Sequence, residues 1–546
     1  MDDLVTQQDL SSRQVQAFEP GLGSECSGQT GVDVPFTASR PKSLMGNGSW
    51  SVALTIWQIV VTFLLTRFLI DSLGTSNYGL FMLLMSISGM MGLMNLGLGE
   101  ATLRYVAYYY GRSDMAGINR VVGATFAIYL MSGLAGWAAL FFGASPIAGL
   151  LSLPPGDQQL AVSLLRLTAI AFGISFITGA FTSIPQAMQR FDISTKLSIA
   201  QSVFQVSGTV AILLYGGGIY QLVLWSVATA VFTQTLSMIV VKRLLPALSM
   251  RPSLTRAGLK EVFKYGVWSL ITQLFGTIWF YGDGLLLGVL VNMDSVCYLT
   301  VPKNLNFKAL DLVASAGSGL FPRFSTLTDP AARARLFLNA TWVMLLCSVV
   351  IYVPLTVMLP DFLRLWINPK FALASAFVGQ LIAASCLIRG AANVYQPLFK
   401  GINKPHILSI VTVVSSAISL AVNVTLIPWL GLAGAGYSFV ATAGLGMIMV
   451  VYAWRKSLGM PSSKPLLRAM ALPVGMGFLT LAVSVWIHSL LPPVGWFGLI
   501  ALGVGFTLLA GGAVTASELL WGGENHALVL LRRLRGIVLA RAMKPQ

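Results

Sequence analysis

The segment 301–318, VPKNLNFKALDLVASAGS, places Lys303, Asn304, Lys308 and Asp311 within nine positions of one another, between long apolar stretches. Ammonium groups spaced in this way attract anions, and phosphates above all. A carboxylate three residues beyond a lysine can neutralise it. On a helix, Lys303, Asn304, Lys308, Asp311, Ser315 and Ser318 fall within an arc of about 140°. Lys303 then lies about 10 Å, and Lys308 about 18 Å, below the outer end of that helix. Asp311 pairs most simply with Lys308, which leaves Lys303 as a cation in excess, lining a wet and anion-attracting cavity.

Other polar residues form similar stripes. Gln58 belongs to one with Ser51, Thr55, Thr62 and Thr66, and Gln273 to another with Ser269, Thr272, Gly276 and Asp283. Arg389 shares a face with Ser385, Asn393 and Gln396, and a further stripe holds Thr168, Ser175, Thr182 and Gln186. Such faces cannot look at lipid. Serines, threonines and glutamines on them serve either as hydrogen-bonded seams between helices or as cavity lining. Asp283 is a candidate for cation coupling or for holding a basic group. Arg67, off its stripe and near a helix end, has three roles open: snorkelling, pairing between lobes, or contact with a bound anion. Arg166 is read as structural, and Glu100 and Arg104, four apart, as a local pair.

The elements that position these groups follow from composition. The 546-residue chain is 55% hydrophobic and 10% charged, with mean hydropathy +0.77. Soluble domains carry about a quarter charged residues, so this is an all-α polytopic membrane protein. Fourteen apolar runs of about 20 residues can each cross a bilayer. Of the 35 lysines and arginines, five lie within spans (Arg67, Arg166, Lys303, Lys308, Arg389). Arg364 and Lys370 fall on one side, and all the others fall on the opposite side. The positive-inside rule makes that basic side, with both termini, cytoplasmic. The net charge of +16 is therefore a topology signal that excludes nucleic-acid binding, and the basic loops are suited to anionic lipid headgroups.

The second half of the chain repeats the first about 215 residues on: GSWS at 48–51 returns as GVWS at 266–269, and Tyr78 as Tyr298. The offset equals six spans, so the two halves share one orientation, with their interface a natural binding region. The expected organisation is a disordered cytoplasmic leader at 1–47, a first six-helix lobe at 48–245 and a basic loop at 246–265. A second six-helix lobe at 266–456, a helix hairpin at 466–520 and a basic tail at 521–546 complete it. No Cys/His spacing suggests a metal site, no P-loop occurs, and the three histidines are far apart in sequence. No catalytic set, cofactor or metal is expected.

RFLIDSLGTSNYGLFMLLMSISGMMGLMNLGLGEATLRYVA at 67–107, DGLLLGVLVNMDSVCYLTVPKNL, YQPLFKGINKPHILSI and GLAGAGYSFVATA together resemble the polysaccharide transporters. These are the lipid-linked oligosaccharide or O-antigen flippases of the multidrug/oligosaccharidyl-lipid/polysaccharide flippase superfamily. The resemblance covers residues 48–460 and implies fourteen helices with alternating access. It implies movement of an undecaprenyl-diphosphate-linked repeat unit from the cytoplasmic to the periplasmic leaflet of a bacterial inner membrane, driven by a proton or sodium gradient. A polysaccharide polymerase and a chain-length regulator are implied partners. Asp283 and Lys303 match charged positions of that family, and Arg67 a basic position at the end of its first helix. A peptidoglycan lipid-precursor flippase, a drug/cation antiporter of the same superfamily and a scaffold of a polysaccharide-assembly complex are the competing readings.

Overall fold

A chain crossing hydrocarbon has to satisfy every backbone amide within its own segment or a closed sheet, and here the solution is helical throughout. The computed structural model describes residues 44–91, 98–153, 158–188, 190–249, 251–253, 256–317, 320–327, 329–402 and 404–521. The leader up to residue 43, the tail from 522 and Ser318 lie outside the described residues, as do the side chains of Ser51, Thr55, Glu100, Arg104, Ser269 and Ser315.

The helices run in order α1 Leu44–Met91, α2 Leu98–Gly111, α3 Met115–Phe142, α4 Ala144–Leu150, α5 Gln158–Ala187, α6 Phe191–Leu214 and α7 Ile219–Leu244. Then follow α8 Arg256–Leu290, α9 Met293–Ala316, α10 Leu320–Thr326, α11 Pro330–Trp366, α12 Pro369–Ala392 and α13 Tyr395–Gly401. The last are α14 Pro405–Leu430, α15 Leu432–Tyr452 with one π turn at Ala453–Ser457, α16 Lys464–Leu490 and α17 Gly495–Trp521. Among the described residues, 12 helices are long and apolar enough to cross a membrane. The expected fourteen spans are reached because α1 contains two helical segments broken at Gly74, where φ is 78°. The other addition is α9, which carries Asp294, Lys303, Lys308 and Asp311 and is therefore too polar to qualify on apolarity.

Packing reproduces the internal repeat. In the first half α3 packs on α5, α5 on α7, α1 on α6, and α6 on α7. In the second half α11 packs on α12, α12 on α15, α8 on α14, and α14 on α15, the same pairings six spans later. The hydrogen bonds follow suit: Trp57 donates to Ser202 between α1 and α6, while Thr272 and Ser409 share a 2.8 Å bond between α8 and α14. The C-terminal hairpin of α16 and α17 packs along α11. There Val349 and Val353 meet Ala510 and Val514, and Val357 and Met358 meet Leu499 and Phe506.

The two halves touch through several specific contacts. Trp366 donates to the Phe63 carbonyl at 3.0 Å, Ser152 to that of Val289 at 2.7 Å, and Thr75 to the Asp294 carboxylate. Gly79 of α1 lies against the start of α9, so that a Cβ there would sit 1.9 Å from the Met293 carbonyl oxygen. Only a residue without a side chain permits that approach.

Candidate functional site

Lys303 rises from α9 one residue after Pro302, which sits inside the helix and leaves one backbone bond unmade. The side chain of Asn306 donates to the Pro302 carbonyl at 2.8 Å and to the Gly379 carbonyl of α12 at 3.3 Å, tying this turn to the neighbouring helix. Tyr352 of α11 donates to the Asn306 carbonyl at 2.7 Å. So braced, the Lys303 ammonium reaches both carboxylate oxygens of Asp283 on α8, at 2.9 and 3.0 Å, and the Phe280 carbonyl at 2.8 Å. It also stands 4.8 Å from the Phe280 ring centroid and 5.9 Å from that of Phe439. Lys303 is 4% and Asp283 1% exposed. The expectation that Lys303 stands in excess is not met. Its charge is matched by Asp283 and its three protons are all engaged. Asp283 holds a basic group, one of the two roles its position left open.

The remaining charged candidates separate by exposure. Lys308 and Asp311 do approach each other, at 3.7 Å, but as a loose pair whose side chains are 35% and 60% exposed. Such a pair contributes little stability and leaves the Lys308 ammonium accessible. Arg67 pairs with Asp71 one turn along its own helix at 3.5 Å and reaches the Leu365 carbonyl of α11, in the other lobe, at 3.5 Å. Arg166 is exposed, 5.4 Å from the Phe141 ring. Gln58 and Gln273 are both exposed, each on the first helix of its lobe, while Asn304 and Asn393 are half-buried.

Arg389 has a different environment. Its Nη2 donates to the Thr442 hydroxyl of α15 at 2.6 Å, and its guanidinium lies 4.5 Å from the ring centroid of Trp279 on α8. Among the described residues no carboxylate lies within ion-pair distance of it. Its Nε is buried without a hydrogen-bond partner, and so are Trp279 Nε1 and, in the turn that follows α12, Asn393 Nδ2. A buried guanidinium nitrogen left without a partner is a group that an anion would satisfy. Thr442, Trp279 and Asn306 were not singled out in the sequence, because nothing in their spacing reveals which helix they face.

Residues 279–283 of α8 bring these groups together. Trp279 lies over Arg389, the Phe280 carbonyl and the Asp283 carboxylate hold Lys303, and Tyr281 crosses to the first lobe. There its ring lies so close to Gly89 of α1 that a Cβ would sit 2.5 Å from it. Beside Gly89 opens a cavity of about 550 Å³ walled by α1, α3, α5, α6 and α7, whose lining includes Thr168, Ser175 and Thr182. A second, apolar groove of about 600 Å³ lies between α1, α11 and α17, lined by Phe63, Leu355, Phe362, Trp496 and Ile500 among others.

Comparison with known proteins supplies the relatives. A sequence-family profile described as polysaccharide biosynthesis protein matches residues 46–328. The chain is 24% identical over 514 residues, 89% of its length and 96% of the relative's, to the uncharacterized membrane protein EpsK of Bacillus subtilis. It is 21% identical over 298 residues, 53% of its length and 68% of the relative's, to a putative O-antigen transporter of Shigella flexneri. In three dimensions it superposes on the lipid II flippase MurJ in an inward closed conformation. The TM-score is 0.65 and the identity 14%, over 87% of this chain and all of that one.

Proposed function

The chain belongs to the polysaccharide biosynthesis protein family, and on that premise we propose that it is a flippase for a polyprenyl-diphosphate-linked oligosaccharide. The cargo enters from the cytoplasmic leaflet of a bacterial inner membrane and leaves on the periplasmic one by alternating access of the two lobes. The observation that carries this reading is Arg389, a cation whose Nε is buried without a partner and beside which no carboxylate lies among the described residues. An unpaired charge in a low-dielectric interior is costly, and a lipid diphosphate entering from the bilayer relieves that cost. Lys308, accessible on the same lobe, offers a second contact as a mobile point charge. The isoprenoid tail remains in lipid, and the apolar groove beside α17 is a surface along which it can lie.

Binding has to differ between the two lobe arrangements for a cycle to turn over. The Lys303–Asp283 pair supplies a place for that difference: a proton or sodium ion at Asp283 competes with Lys303 for the carboxylate. The basic cytoplasmic loops engage anionic lipids. A polymerase and a chain-length regulator that take up the delivered repeat units are the expected protein partners. The test is polymer export from cells whose own copy is deleted, complemented with Arg389→Gln or Arg389→Lys and matched for membrane abundance. Arg389→Gln should reduce export at least tenfold, and Arg389→Lys, which keeps the charge but loses the fork, should retain part of it. Wild-type export by Arg389→Gln would remove the guanidinium from the mechanism.

A further inference from the structure

The cavity in the first lobe has the opposite chemistry to the Arg389 region. Among the described residues its lining contains no lysine, arginine, aspartate or glutamate. One side is aromatic: Phe172 and Phe176 stand 4.6 Å apart, and Tyr129 meets Phe176 edge-on at 5.7 Å. Elsewhere hydroxyls and amides run from Ser88 of α1 through the α5 stripe to Gln201 and Gln205 of α6 and three hydroxyls of α7, with Met85, Ala171 and Ala230 between them.

The hydrogen-bond directions refine this picture. Ser175 donates to Ala171, Ser226 to Val223, Thr229 to Trp225 and Thr233 to Thr229, each to a carbonyl of its own helix. With the protons committed there, the oxygens present lone pairs, so the hydroxyl wall acts mainly as an acceptor surface. Gln201 and Gln205 add amides that can both donate and accept. Thr168 is 1% exposed, lines the cavity, and its hydroxyl has no partner. A buried hydroxyl left unpaired is costly unless something entering the cavity pairs with it.

We propose that this cavity is a glycan-reading subsite that receives uncharged sugar residues of the cargo while the diphosphate is held by the second lobe. The assignment rests on the flippase reading and adds the division of labour between the lobes. A phosphate, which only accepts, is disfavoured against an acceptor wall with no cation among the described residues. A sugar hydroxyl, which both donates and accepts, is favoured, and the C–H face of a pyranose ring packs against Phe172 and Phe176. The volume lies within the range of small-ligand pockets, roughly 300–1,000 Å³.

The experiment compares two probes on purified full-length protein in nanodiscs: a polyprenyl diphosphate bearing the repeat unit of the host's exported polymer, and the same lipid diphosphate without sugar. The variants are Thr168→Val with Gln205→Leu, Ser175→Ala alone as a milder change, and Arg389→Gln. The double variant should bind the glycan-bearing probe about tenfold more weakly, the size of one or two lost hydrogen bonds, and the sugar-free probe as wild type does. Ser175→Ala should show the same selectivity with a smaller loss, and it serves as the deciding variant if the double variant does not fold. Arg389→Gln should weaken both probes. Wild-type protein that binds both probes, with cavity variants that lose neither or lose both equally, overturns the glycan subsite and leaves the flippase reading standing. Wild-type protein that binds neither overturns both.

Discussion

Removing one partner of the Lys303–Asp283 pair should cost far more than removing both. Asp283→Leu leaves an ammonium that is 4% exposed with a single remaining acceptor, the Phe280 carbonyl, and two aromatic faces. Lys303→Met leaves a carboxylate that is 1% exposed, with the Gly284 amide donating to it at 2.7 Å. Either change strands a buried charge, and the cost of that is about 3–5 kcal/mol. The double replacement strands nothing, fills similar volume with apolar atoms, and should come within about 1 kcal/mol of wild type. The expected coupling is therefore at least about 5 kcal/mol in favour of the double variant over the sum of the singles. The assay is denaturant or thermal unfolding in detergent, followed by intrinsic fluorescence, together with polymer export. Both singles should unfold well before wild type, and the double variant close to it but without ion-coupled export. Single variants as stable as wild type, or a double variant that loses the sum of the two, would refute a tight, dry pair.

Further outcomes follow from neighbouring contacts. Asn306→Leu removes the donor that secures the Pro302 carbonyl and the Gly379 carbonyl; it should cost about 1–3 kcal/mol and lower export, both read from the same unfolding and complementation assays. His488 of α16 meets Asp361 of α11 at 2.6 Å, with Arg364 3.8 Å from the same carboxyl group. His488→Leu should therefore loosen the C-terminal hairpin, seen as faster amide exchange confined to α16 and α17, with the two six-helix lobes unaffected. Cysteines replacing Phe63 and Trp366, which stack at 5.0 Å across the two lobes, should crosslink with a short bifunctional reagent and stop export, reversibly on cleavage of the link.

Much of this architecture could be read from the chain because hydrocarbon enforces it. Apolar length gives the spans, and a helix such as α9 was recognisable despite four charges because Lys303, Lys308 and Asp311 share a face. The six-span repeat likewise returns as repeated helix pairings. Pairing across helices was not legible. Local spacing favours Asp311 as the carboxylate near these lysines, yet Lys303 takes Asp283, 20 residues away on another helix. The α5 stripe was visible as a stripe, but only its meeting with Gln201, Gln205 and the α7 hydroxyls makes it a cavity wall. Arg389 was visible as a deep cation. Its unmet donor depends on Trp279 and Thr442, whose orientation is set by packing alone.

The most direct test of the central claim uses the purified protein in sealed vesicles with a polyprenyl-diphosphate-linked oligosaccharide loaded in one leaflet. Appearance of the glycan on the other side is followed with a membrane-impermeant glycosidase. The account predicts transfer by wild type that depends on an imposed proton or sodium gradient and that Arg389→Gln abolishes. A glycan that stays in its original leaflet with active wild-type protein, or crosses equally fast with Arg389→Gln, would contradict it.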